Sequence, residues 1–182
     1  MQESKVSVAD MERRVCRIDD VQGGMLSFLD QRMPGHEREI INILGMAVAE
    51  NPAALELQPK IAAPAYGFAI TMVRADPGKG AALHVHPTEE VSTPITERWA
   101  IFWLEGGVER EITVGPGDTI SVPVGIYRGF RNVSDAPALL HAVIGGPDTG
   151  KVLWHSSVID GARATGLEID AEGNLREVEA TR

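Results

Sequence analysis

The sequence predicts an all-β fold, a sandwich or barrel of short strands, with an N-terminal arm and a short C-terminal helix. Two observations carry this. Between residues 64 and 154, apolar and β-branched runs recur at close spacing, and each is closed by Gly, Pro, Asn or Asp. Within them, "EREITV" alternates: Glu109, Glu111 and Thr113 fall on one side, Arg110, Ile112 and Val114 on the other, as in a strand. A chain of 182 residues fits one domain and can bury a sizeable core.

The elements follow in order. Residues 1–63 form the arm, expected to pack on the barrel or on a dimer partner. In "MPGHEREIINILGMAVAE" (33–50), the apolar positions Ile40, Ile41, Ile43, Leu44, Met46 and Val48 fit a strand or a helix, and periodicity does not separate the two. In "ENPAALELQPKI", Asn51 is a potential N-cap and Pro52 stands at a first helical position, so a short helix is expected. The strand region, 64–154, runs through "YGFAITMVRA", "RWAIFWLEGG", "VEREITVGPGD", "TISVPVG", "IYRGFRNVSDAP" and "ALLHAVIGGPD". Residues 155–182 hold a helix, "SSVIDGARATGLEI", capped by Ser156 or Ser157, and then a turn and a polar end. No internal repeat or low-complexity linker interrupts the chain.

Composition bounds the partners. Hydrophobic residues make up 43% and charged residues 24%, ordinary for a soluble globular protein. With 17 Lys and Arg against 26 Asp and Glu, the net charge is −9, and no basic patch is visible. That balance argues against nucleic acid and anionic membrane as partners, and leaves a small molecule. Cys16 is the one cysteine, which excludes an internal disulfide and any cysteine-rich zinc module. The first twenty residues lack an apolar signal-peptide core, and no apolar run approaches a membrane span. The cytoplasm is therefore the expected location.

Chemistry concentrates in "GKGAALHVHPTEEV" (78–91). On a strand, residues i and i+2 share a face, so His84 and His86 present two imidazoles side by side. Glu90 lies close enough to bring a carboxylate to the same point if the chain bends near Pro87. Two imidazoles and a carboxylate suit a first-row divalent metal, and with open positions left they form the donor set of non-haem Fe(II) oxygenases. Zn, Mn or Ni would also fit. Alone, the pattern also fits a polar turn on the surface.

With its surroundings, the stretch resembles the first motif of the cupin superfamily: Gly, five residues, His-x-His, three or four residues, Glu, six residues, Gly. Gly78, His84, His86 and Glu90 fit it, and Glu97 stands where the closing glycine belongs. "GDTISVPVGIYRGFRN" resembles the second motif, with Gly117, Pro123, Gly125 and Asn132 in register and Arg128 at the histidine position. The resemblance implies a jelly-roll (double-stranded β-helix) barrel, often a homodimer, with a metal inside one end. It leaves function open, because cupins include dioxygenases, isomerases, decarboxylases, lyases, storage proteins and sugar-binding regulators.

Arg128 is the departure that matters. A protonated guanidinium has no free lone pair and cannot ligate a metal. Three arrangements follow. A metal is held by His84, His86 and Glu90 with waters, or His141 on "ALLHAVI" supplies a fourth ligand, or Arg128 pairs with Glu90 and no metal binds. Arg128 would otherwise hold an anionic substrate group through its planar fork. Trp99 and Trp103 share strand parity with Ile101, and Phe130 shares parity with Arg128. Trp99 and Phe130 are candidate substrate-binding residues beside it, with plain core packing the alternative. Tyr127 has the opposite parity and is expected to pack. His36 fits a turn, and His155 has no evident partner.

The leading expectation is a metal-dependent enzyme, a non-haem Fe(II) dioxygenase of a small aromatic or carbonyl substrate, with Arg128 as a catalytic and substrate-binding group. Redox-neutral chemistry on the same metal, isomerisation or lyase action, is a variant of it. The competing expectation is a metal-free barrel that binds a small ligand as a sensor or store.

Overall fold

A computed structural model of the protein describes residues 6–45, 49–62, 67–146 and 152–180. Ser7 caps a short first helix, α1 (Val8–Glu12), and accepts from the Asp10 backbone N–H. The barrel strands are β1 (Glu39–Leu44), β2 (Phe68–Ala75), β3 (Gly80–Val85), β4 (Glu90–Pro94), β5 (Trp99–Glu105), β6 (Val108–Val114), β7 (Ile120–Val122), β8 (Arg128–Asn132), β9 (Ala138–Gly145) and β10 (Leu153–Trp154). Then come α2 (Ser156–Ala164) and a hairpin of β11 (Leu167–Ile169) and β12 (Leu175–Glu177).

The strands form two antiparallel sheets of five, ordered β1-β2-β9-β4-β7 and β10-β3-β8-β5-β6. From β2 onward the chain crosses between the sheets at almost every connection, which is the jelly-roll, double-stranded β-helix topology. On β9, buried Leu140, Ala142 and Ile144 face inward and alternate with half-buried Leu139, His141 and Val143. Ala69, Val73 and Ala75 of β2 answer them from the same sheet, and Trp99, Ile101 and Phe130 from the other. The outer face of β8 is closed differently: the Arg131 guanidinium lies 4.8 Å above the Phe102 ring. Gly129 is required beneath it, because a Cβ there would run into Phe102 and the Ala81 carbonyl.

Turn chemistry agrees with the motifs. Gly78, Gly117 and Gly125 all have positive φ, at 76°, 87° and 82°. Glu97 keeps the same left-handed conformation without being glycine, at φ 61°. The residue replacing the motif glycine thus retains the turn and carries its strain, which costs about 1–2 kcal/mol for a side chain with a Cβ.

The arm is built into the barrel. The run from Ile40 forms a strand, β1, with Ile40 opposite Val73 and Ile41 opposite Met72 on β2; Met46 and Val48 lie outside the described residues. The short helix expected after Asn51 is only a 3-10 turn, Leu55–Leu57. Asn51 accepts from the Ala53 N–H and so caps a turn, not an α-helix. The C-terminal helix forms, but its cap is His155, whose Nδ1 accepts from the Ser157 N–H, and not a serine. Beyond it, β11–β12 replaces the polar end with a hairpin. Among the described residues, no helix is long and apolar enough to cross a membrane.

Candidate metal centre

His84 lies near the end of β3, His86 one residue beyond that strand, and Glu90 opens β4. All three are buried, each about 5% exposed, and face the space between the sheets. One donor atom from each lies within 4.8 Å of the others. Histidine and carboxylate donors reach such ions at about 2.0–2.2 Å, so atoms around one ion lie within about 4.4 Å of one another. The triad is a few tenths of an ångström from that spread. The imidazole rings of His84 and His86 stand nearly perpendicular, with centroids 5.2 Å apart.

The tautomer of His84 is fixed. Its Nδ1 lies 2.7 Å from the Ala82 carbonyl, which can only accept, so Nδ1 carries the proton and Nε2 keeps its lone pair. Burial, then the Arg128 cation, then His86, pushes its pKa well below the ordinary value, so His84 is a neutral imidazole ready to donate. Glu90 is held below the ordinary carboxyl range: burial pushes it up, but Arg128 and then His86 pull it further down. A carboxylate and a lone-pair-bearing imidazole are thus in place, and the donor chemistry fits a first-row divalent ion.

The arm sets this geometry. Arg38 grips Asp30 with both terminal nitrogens, at 2.9 Å each, and both residues are buried. The same carboxylate accepts from the Ala82 N–H at 2.8 Å, so Asp30 anchors Ala82, the residue whose carbonyl orients His84. On the other side, Glu50 accepts from Trp154 Nε1 at 2.6 Å and from the Leu29 N–H at 2.7 Å. That bond holds the Trp154 ring 5.6 Å from His84. Phe28, Arg38 and Ile40 line the cavity in front of the triad together with Phe130 and Trp154. Sequence reasoning missed these arm residues; the separation of Asp30 and Arg38 from His84 leaves no local pattern that marks them.

The cavity is small, about 50 Å³. An engineered cavity of about 150 Å³ holds a benzene ring. The triad cavity therefore has room for an ion and the head of a ligand, and an aromatic body must lie elsewhere.

Arg128 is buried and pairs with Glu90, donating from Nε at 3.1 Å and from a terminal nitrogen at 2.6 Å, both to Oε2. Its other terminal nitrogen donates to the His84 carbonyl at 3.3 Å. Glu90 Oε1 is not engaged by these bonds. Arg128 is therefore brought to the triad but lines a second cleft, not the triad cavity.

Two candidates fall elsewhere. His141 is not a fourth ligand: it sits opposite Thr93 and Met72, on the face of β9 away from Ala142 and Ile144, which line the cavity. Trp99 lines neither the triad cavity nor the second cleft: it is fully buried against Phe130, with ring centroids 5.8 Å apart. Phe130 does line the triad cavity, with its ring 6.3 Å from His84. Tyr127 packs edge-on against His155 at 5.2 Å.

Comparison with known proteins agrees with the geometry. Residues 71–144 match the model of the cupin domain. No curated protein sequence matches the chain. Among solved structures, a recombinant oxalate oxidase in complex with glycolate matches with a TM-score of 0.50 at 15% identity, over 74% of this chain and 60% of that one. An uncharacterized conserved protein with a double-stranded β-helix domain from Klebsiella pneumoniae matches at 0.55 and 16%, over 81% of this chain and 96% of that one. An oxalate decarboxylase from Lactobacillus farciminis, solved as its formate complex, matches at 0.51 and 17%, over 79% of this chain and 36% of that one. The chain thus spans less than two thirds of the oxalate oxidase and about a third of the decarboxylase. At these identities the likeness is one of fold. With its motifs in register on this barrel, the matched stretch, residues 71–144, is a cupin domain, one that carries Arg128 where the second motif has histidine.

Proposed function

We propose that this cupin is a metal-dependent enzyme, a non-haem Fe(II) dioxygenase of a small aromatic or carbonyl substrate that carries an anionic group. The observation that supports it is the buried triad His84, His86 and Glu90, with its donor atoms within 4.8 Å. A divalent ion bound there supplies Lewis acidity and, as Fe(II), redox chemistry with O₂. The chain's own residues do the rest. Ala82 holds the His84 tautomer, and Phe130 and Trp154 supply apolar walls to the cavity in front of the triad. Glu90 and Arg128 neutralise one another, so an added ion leaves the buried site with an excess of two positive charges. Such a site favours an anionic ligand. Glycolate and formate, named for two of the fold neighbours, are small carboxylates of that kind.

The experiment is anaerobic loading with Fe(II) followed by oxygen-uptake measurements over a panel of small carboxylates, phenols and diketones. Uptake with one class, absent in His84→Ala, supports the dioxygenase. No uptake from a metal-loaded protein across the panel refutes it in favour of redox-neutral lyase or isomerase chemistry.

The Arg128–Glu90 pair favours a second reading, because it gives Glu90 a partner without any metal. On that reading the barrel binds a small ligand as a sensor or store. Metal content separates the two.

A further inference from the structure

On the far side of the Arg128–Glu90 pair lies a cleft of about 360 Å³, between the edge strands β6 and β7. Its walls are Ile101, Trp103 and Ile112 from one sheet and Val122 and Ile126 from the other sheet and the loop that follows it. Arg128 is its charged residue; every other residue lining it is uncharged. A volume of about 300–1,000 Å³, apolar walls and a few placed polar groups are the marks of a small-molecule site. Ile112 and Ile126 are 49% and 41% exposed on its walls. Scattered exposed isoleucines are ordinary, but these share a cleft with a buried guanidinium.

We infer that this cleft binds a small aromatic or apolar monocarboxylate, ring against Trp103 and the isoleucines, carboxylate on Arg128. The inference rests on the reading that the ligand of this cupin is anionic, and it adds where the body of that ligand lies. Two quantities drive it. The triad cavity, about 50 Å³, is too small for a ring, whereas the cleft is seven times larger. The bonds to Glu90 and His84 use three of the five N–H groups that a guanidinium carries. A carboxylate on the remaining donors is met without breaking the pair with Glu90. Because Arg128 touches Glu90, the acid binds beside the triad and not within it.

The test uses phenylacetate and its neutral counterpart phenylacetamide, titrated calorimetrically into the full chain in the presence of a chelator. Metal plays no part, so a failure here leaves the metal reading standing, and a metal-free protein leaves this test intact. Phenylacetate is expected to bind at about 1 mM or tighter, and the amide at least about tenfold more weakly. Ile126→Glu, a change at an exposed position, is expected to lose the acid by about tenfold or more with an unchanged melting temperature. The double variant Arg128→Met/Glu90→Gln, which removes both charges together, is expected to bind acid and amide equally. Equal binding to the wild type, or full binding retained in Ile126→Glu, overturns the inference. So does a wild-type protein that ignores the acid while Ile126→Glu turns a dimer into a monomer, for the cleft is then an interface between copies.

Discussion

Replacing Arg128 by Met removes the cation that faces Glu90 and leaves a buried carboxylate without its partner. Both residues are nearly sealed, at 3% and 5% exposure, and the pair is joined by two N–H···O contacts. Breaking such a pair from one side costs about 3–5 kcal/mol, a large part of the roughly 5–15 kcal/mol that holds a domain together. The cost depends on pH in a defined direction. In the wild type, the carboxyl of Glu90 is held below its ordinary value of 4.5, so its contribution is present above that pH and lost as pH falls through the folded value. In Arg128→Met, burial acts unopposed by the guanidinium and the carboxyl rises. The variant's deficit is then full at neutral pH and shrinks as Glu90 takes up a proton on acidification. Urea unfolding, followed by tryptophan fluorescence at a series of pH values, measures it. Adding Glu90→Gln to Arg128→Met is expected to restore at least about half of the loss at pH 7, since the buried charge is gone. A single-variant cost below about 1 kcal/mol, with no recovery in the double variant, refutes the argument that the pair is a buried, mutually dependent unit.

Other expectations follow from the same geometry. Arg128→His removes a cation that competes for Glu90 and places an imidazole at the motif position, so Mn(II) affinity by calorimetry is expected to rise at least about tenfold, and unchanged affinity contradicts it. Burial lifts the Glu50 carboxyl to about 7, against the pull of the Trp154 indole and the Leu29 N–H, so the folded chain keeps a proton that the unfolded chain releases. Stability relative to Glu50→Gln is therefore expected to fall by about 3 kcal/mol as pH rises from 4.5 to 8, most of it below 7, and parallel urea curves for the two proteins contradict it. The neutral His84 acts in the opposite direction below its ordinary 6.5, but both proteins share it and it cancels in the difference. Glu97→Gly relieves a left-handed side chain and is expected to be neutral or up to about 1 kcal/mol stabilising, whereas Glu97→Val is expected to cost about 1–2 kcal/mol; thermal melts decide.

The parts of the site that were legible in the sequence are those that one stretch of chain supplies. His84, His86 and Glu90 lie within seven residues, and the strand period alone puts the two histidines on one face. Gly78, Gly117 and Gly125 were legible because a left-handed turn selects glycine. Parity also placed Phe130 with Arg128. His141 stayed open as a fourth ligand because its strand is apolar on both faces, so "ALLHAVI" shows no alternation to say which side turns inward. Trp99 and Trp103 share a face, yet only Trp103 meets open space, since depth along the barrel is not written in the period of 2. The arm was the least legible. Asp30, Arg38 and Glu50 act on His84 and Trp154 across long sequence separations, and His155 caps α2 through a ring nitrogen, a role that serine more often fills.

On the proposed reading, His84, His86 and Glu90 together hold a divalent ion. Elemental analysis of protein purified without chelator and reconstituted anaerobically with Fe(II) tests it most directly, with His84→Ala and Glu90→Gln alongside. About one metal ion per chain is expected in the wild type and a small fraction of that in either variant. A wild type that stays far below one ion per chain after reconstitution, or a His84→Ala protein that loads fully, contradicts it.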